Sequence, residues 1–146
     1  MKKGKNMSFD FDNNIPIYIQ LVEQIKISII SGDITSGDRL PSVREWAMKY
    51  KVNPNTMQKA LAELEAQGLV FTERTNGKFV TENKALIEII RKDYAKEMSE
   101  RYFISMEKIG FSKDKAIEYL NALGGKEEWA CWNSDIFIKA LVKKKF

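Results

Sequence analysis

Two short runs carry side chains suited to reading a nucleic acid. The first is Asn53-Pro54-Asn55-Thr56-Met57-Gln58-Lys59. Asn and Gln each present a donor beside an acceptor, the pair that matches the exposed edge of adenine, and Thr offers a hydroxyl or a methyl. Lys59 is suited to a phosphate. The second run is Arg74-Thr75-Asn76-Gly77-Lys78. Here Arg74 and Lys78 flank a glycine at a turn, placed for contact with the sugar–phosphate backbone or the minor groove. Arg44 can reach either a phosphate or a guanine edge, and Lys49 and Lys51 add charge nearby. Catalytic chemistry is not indicated. Histidine is absent, which removes the commonest general base and the commonest metal ligand. No nucleophile–base pair and no metal-ligand set stands out, so neither an enzyme nor a cofactor or metal is expected.

These side chains need elements that hold them in place. Ile15 to Ser31 reads as a first helix, with Pro16 at its first position and an apolar stripe through Tyr18, Leu21, Val22, Ile25 and Ile29. Gly32 closes it. Residues 33–41 form a loop ending in a short extended piece, because Gly37-Asp38 signals a turn and Pro41 disfavours helix at Leu40. Ser42 and Glu45 have the spacing of a capping box and open a second helix that buries Val43, Trp46, Ala47 and Tyr50 and stops near Lys51. Asn53 as N-cap and Pro54 at the first helical position start a third helix almost at once. Its Met57, Ala60, Leu61 and Leu64 face inward, which leaves Asn55, Thr56, Gln58, Lys59 and Ala62 outside. Gly68 ends it. Residues 69–72 and 78–81 then read as two strands joined across the Asn76-Gly77 hairpin signal.

After Glu82 the pattern changes. Ala85 to Ile109 reads as one long helix, with Ile87, Ile90, Tyr94, Met98, Tyr102 and Met106 near four-residue steps and Leu86, Ile89 and Phe103 widening the apolar face. Gly110 interrupts it. Ser112 to Leu123 reads as a further helix with Ala116, Ile117, Leu120 and Leu123 inward. Gly124-Gly125 is a turn, not a phosphate loop, since no strand and Gly-x-x-x-x-Gly-Lys pattern surrounds it. Residues 126–146 are expected to be helical, and Lys143-Lys144-Lys145 is expected to be solvated tail.

The fold expected is mainly α with a small β-hairpin wing. It comprises an N-terminal arm over 1–14, a winged helix-turn-helix over 15–82 and a helical dimerisation segment over 83–146. The third helix would enter the major groove, whose width accepts one helix, and present its leading residues to base edges. The long helix has too broad an apolar face for a lone exposed helix. A homodimer would cover it through Ile87, Ile90, Tyr94, Met98 and Tyr102, with operator half-sites about one helical turn apart or a multiple.

The totals agree with this reading without compelling it. The chain has 146 residues, 44% apolar and 30% charged, with net charge +4. The excess of basic residues is the same on either side of Lys84, so a DNA-binding surface must come from local clustering. A single Cys131 excludes an internal disulfide. No apolar run approaches the ~20 residues of a membrane span, and the basic start at Met1–Met7 lacks the apolar stretch of a signal peptide. A soluble cytoplasmic protein with no membrane partner is expected.

The run PIYIQLVEQIKISIISGDITSGDRLPSVREWAMKYKVNPNTMQKALAELEAQGLVFTERTNGKFV closely resembles the GntR family of bacterial transcription regulators. Within it VNPNTMQKALAELEAQGLV, with the short tail, resembles the YtrA-like subfamily. The match runs from about Phe9 to Thr81 and rests on G-D-R-L-P-S-x-R-E, V-N-x-N-T and G-x-F-V. The resemblance implies a dimer on a palindromic double-stranded operator, usually repressing genes, and for the subfamily often a transporter operon. It also implies DNA contacts at Ser42, Arg44, Asn53, Asn55, Thr56, Gln58 and Gly77. Several relatives carry arginines where this chain has Pro54 and Gln58, so their particular guanine contacts do not carry over. A competing expectation is a ligand-responsive switch, in which Trp129, Trp132 and Phe137 of the tail line a pocket for an effector whose identity is unknown. Residues 83–146 are too few for the full-sized effector domains of some relatives. An aminotransferase fusion, found in another branch, is excluded by length.

Overall fold

The structure is a computed structural model and describes residues 10–124. The expectations for Cys131, for the aromatic trio Trp129, Trp132 and Phe137, and for the helix and lysine tail over 126–146 lie outside the described residues. Among the described residues five helices and one hairpin follow in the order α1 (Ile17–Ser31), α2 (Val43–Tyr50), α3 (Pro54–Ala66), β1 (Val70–Glu73), β2 (Gly77–Val80), α4 (Lys84–Lys108) and α5 (Lys113–Gly124). This is a mainly helical fold with a two-stranded antiparallel wing. The chain divides into two compact units between Tyr94 and Ala95.

The first unit is built around the stripe on α1. Leu21, Val22, Ile25, Ile29 and Ile30 are buried, and they pack with Trp46 and Ala47 of α2, with Met57, Ala60, Leu61 and Leu64 of α3, and with Leu69, Val70 and Val80 at the base of the wing. Pro16 departs from expectation. It is the residue before the first helical one, extended at ψ 133°, and no side chain caps the helix there. Gln20 closes this entry instead: its amide donates to the Asp12 and Ile15 carbonyls at 2.8 Å, and its oxygen accepts from the Asp12 N–H at 2.9 Å. Phe11 also packs on the core. Phe11 and Asp12, within the segment expected to be an arm, thus make contacts with the first unit.

The wing is a four-by-four hairpin in which Val70 faces Val80 and Glu73 faces Gly77. Phe71 and Phe79, opposite each other, stack at 5.7 Å between centroids, a cross-strand pair of the kind that fixes register. The loop is three residues long, and Gly77 follows it at φ +98°, the left-handed position that such a hairpin requires and that suits glycine. The extended piece before Pro41 is attached to this sheet. Arg39 bridges Phe79, Leu40 N–H donates to the Lys78 carbonyl at 2.8 Å, and Val80 N–H donates to the Asp38 carbonyl at 2.9 Å.

The first three turns of α4 belong to this unit. Ile87 is 6% exposed and joins the core, with Ile90 and Tyr94 packed against it. Arg91 Nε donates to the Ile30 carbonyl near the end of α1 at 2.7 Å. Gly68 (φ +78°) lets the chain turn out of α3, and a β-carbon there would lie 3.2 Å from Leu86 Cδ2.

The second unit holds the rest of α4 and α5. Gly110 turns the chain, with its N–H on the Glu107 carbonyl and the Phe111 N–H on the Met106 carbonyl, the paired bonds that close a helix end. Tyr102 donates its hydroxyl to the Ala116 carbonyl at 2.9 Å. Of the four α5 residues expected inward, Ala116 is buried, but Ile117 is 44% and Leu120 47% exposed. The apolar pattern of α5 therefore exceeds what one chain covers among the described residues.

Candidate nucleic-acid interface

The helix-turn-helix is set by two caps. Ser42 Oγ accepts from the Glu45 N–H at 3.2 Å, and the Ser42 N–H donates to Glu45 Oε2 at 2.7 Å, a complete capping box. These bonds from Ser42 hold the Glu45 carboxyl below its ordinary range, with the charge of Arg39 adding to them. At the other end of α2, Lys51 adopts the left-handed region at φ 54°, and Val52 N–H returns to the Ala47 carbonyl at 2.9 Å. Asn53 then caps α3, its Oδ1 accepting from Asn55 N–H at 2.8 Å. The Asn53 oxygen and the Ser42 hydroxyl, both expected at DNA, are thus bound to their own helices. They act by placing the helix starts that carry Arg44 and Asn55.

α3 divides as the sequence implies. Met57, Ala60, Leu61 and Leu64 are each 0% exposed, whereas Asn55 and Gln58 are exposed and Thr56 is half-buried. Arg44, Lys49 and Lys51 are exposed on and beside α2. Lys59 is drawn elsewhere: its Nζ lies 3.8 Å from the centroid of the Tyr18 ring on α1. The helical pattern placed Lys59 on the surface correctly but did not reveal which neighbour attracts it.

At the wing the two expected cations differ in their surroundings. Arg74 is exposed in the loop. Lys78, expected beside it as a DNA cation, donates from Nζ to Thr72 Oγ1 at 2.8 Å and pairs with Glu65 Oε2 at 3.3 Å. Its side chain is 17% exposed. Thr72 and Lys78 together hold the Glu65 carboxyl below its ordinary range, Thr72 having the larger effect. Arg39, in the short extended piece expected at the end of the 33–41 loop, lies at the wing: a β-carbon on Gly77 would sit 3.6 Å from Arg39 Nε and 3.7 Å from Nη2. Arg39, Ser42, Trp46, Lys49, Thr72 and Gly77 line one open cleft between α2 and the hairpin. The signals that pointed to Arg39 were its place in the extended piece before Pro41 and the turn at Gly37-Asp38, which returns the chain toward a later strand.

The dimerisation set separates into two groups. Ile87 is in the core of the first unit with Ile90 and Tyr94 against it, so Ile87 has almost no surface for a partner. Met98 is 59% exposed, and Tyr102 is half-buried with its hydroxyl on Ala116. Periodicity identified the apolar stripe, but its first part, Ile87 with Ile90 and Tyr94, belongs to the core of the first unit. Among the described residues no group of His, Cys, Asp and Glu could hold a metal ion, and no helix is long and apolar enough to cross a membrane.

Comparison with known proteins agrees with this architecture. Residues 17–80 match the family described as bacterial regulatory proteins, gntR family. The uncharacterized HTH-type transcriptional regulator YhcF of Bacillus subtilis is 35% identical over 112 residues, covering 77% of this chain and 93% of the relative. The HTH-type transcriptional repressor YtrA of the same organism is 33% identical over 127 residues, covering 83% and 98%. A solved GntR family transcriptional regulator from Listeria monocytogenes superposes with a TM-score of 0.72 at 43% identity, over 77% of this chain and 98% of that one. The capped helix pair, the wing and a likeness that extends over nearly the full length of these regulators make this chain a member of the gntR family of bacterial regulatory proteins, similar to YtrA.

Proposed function

We propose that this transcription regulator is a cytoplasmic repressor that binds a palindromic double-stranded operator as a homodimer. The observation that carries the reading is the division of α3. Its inner residues are fully buried, its start is fixed by the Asn53 cap, and the side chains left exposed at that start, Asn55 and Gln58, are the types that read base edges. Thr56 joins them, Arg44 supplies a phosphate or guanine contact from α2, and Arg74 and Gly77 bring the wing to the flanking backbone. The repressor sign is supported by the name of YtrA.

The homodimer is supported by the second unit. Met98, Ile104, Ile109, Ile117, Tyr119 and Leu120 are all at least 44% exposed there, while Ala116 is its one buried residue among the described ones. A helical pair with so little interior is marginal alone, and exposed apolar surface of this density marks an association face. A second copy supplies the same surface by symmetry.

The test is a mobility-shift titration with an operator selected from random DNA. Arg44→Ala should weaken binding by roughly tenfold or more, the ~1–3 kcal/mol of a good base or phosphate contact. Parent-like binding by Arg44→Ala at the same salt would remove that residue from the interface.

A further inference from the structure

Resting on the DNA-binding reading, we infer that Arg39 is a further cation, beside Arg74, with which the wing grips the DNA backbone, taking one phosphate per protomer in the cleft between α2 and the hairpin. Four observations support this. The backbone of Arg39 is fixed to the wing by the bridge to Phe79 and the bonds on either side of it. Its guanidinium lies alongside Gly77 at the hairpin turn, within van der Waals reach of the place a β-carbon would take. The residue is exposed and makes no ion pair within 4 Å among the described residues, although its charge acts on the nearby Glu45 carboxylate. Lys78, the wing lysine nearest in sequence to the turn, is already engaged by Thr72 and Glu65.

The chemistry follows from that placement. A guanidinium presents a planar fork of donors that fits two phosphate oxygens, and its charge persists at any working pH. Lys49 lines the same cleft, as do Lys78 and the Glu45 carboxylate; with Lys78 paired to Glu65 and Glu45 bonded to the Ser42 N–H, Arg39 and Lys49 are the cations left to meet an anion there. A strand of DNA backbone passing between α2 and the wing would place its phosphate against Arg39 while the α3 start faces the bases. Arg39 thereby couples the hairpin to the helix pair: the same segment that runs into the Ser42 cap also holds the wing tip.

The experiment is fluorescence anisotropy with the full chain and its selected operator across a salt series. Each phosphate contact contributes about 0.9 to the slope of log affinity against log salt. Arg39→Ala should make the slope shallower by about 0.9 per bound protomer, Arg39→Lys should restore most of it, and the unfolding midpoint of both should stay close to the parent. The double variant Glu65→Gln/Lys78→Gln, which removes that ion pair without changing net charge, should keep the parental slope. A parental slope in Arg39→Ala, in a preparation where Arg44→Ala has lost affinity, overturns the Arg39 assignment and leaves the DNA-binding reading intact. A slope that falls only together with the unfolding midpoint, or that Arg39→Lys does not restore, also overturns it. A parent that binds no duplex overturns both.

Discussion

Lys59 Nζ sits 3.8 Å from the centre of the Tyr18 ring, so the one lysine of α3 is turned onto α1. A cation over an aromatic face at an exposed site contributes about 0.5–1 kcal/mol. Lys59→Met should therefore cost no more than about 1 kcal/mol in urea denaturation and leave the salt dependence of operator binding unchanged. A clearly shallower salt slope would return Lys59 to the phosphate role expected from its position after Gln58.

The capping box gives a prediction in pH. Glu45 is held below its ordinary value of 4.5 by the Ser42 N–H and hydroxyl. A carboxyl whose folded value is depressed stabilises the fold fully above its unfolded value, and that stabilisation is lost as pH falls through the lower folded value. Glu65, lowered by Thr72 and Lys78, acts with the same sign. Urea midpoints followed from about pH 7 to about pH 3 should decline less steeply in Glu45→Gln than in the parent. Ser42→Ala should cost about 0.5–2 kcal/mol at neutral pH. Parallel pH profiles for parent and Glu45→Gln would remove Glu45 from the acid response.

Much of the fold was readable because local chemistry and burial agree. Ser42 with Glu45, Asn53 with Pro54, and the Met57–Leu64 stripe each specify an element within a few residues, and each is found where expected. The same holds for the exposed Asn55 and Gln58, since a stripe that is buried determines which side is left out. What the sequence could not show depends on distant partners. Lys78 and Lys59 are separated in sequence from Glu65 and Tyr18, and only the folded chain brings them together. Arg39 reaches the wing through a bridge to Phe79, forty residues on. The Ile87–Tyr94 stretch carries an apolar period that does not distinguish packing on its own unit from packing on a second copy.

That ambiguity yields a prediction about assembly. Ile109 is 65% and Ile117 44% exposed in the second unit, and a charge on either should disrupt an interface between copies while leaving the first unit's core untouched. Ile117→Glu should shift the protein from dimer to monomer in sedimentation, with operator affinity reduced because two reading heads are no longer joined. Ile87→Ala should instead lower stability by about 2–5 kcal/mol as a core deletion. An Ile117→Glu protein that remains dimeric would place the interface elsewhere.

The central claim is that the leading end of α3 reads base identity, and the most direct measurement is selection of bound sites from random DNA by the parent and by Gln58→Ala. The parent should return a two-fold symmetric consensus. Gln58→Ala should lose preference at one base position in each half-site, by about 1–3 kcal/mol, with the remaining positions and the half-site spacing unchanged. An identical consensus from both proteins, position for position, would contradict the account.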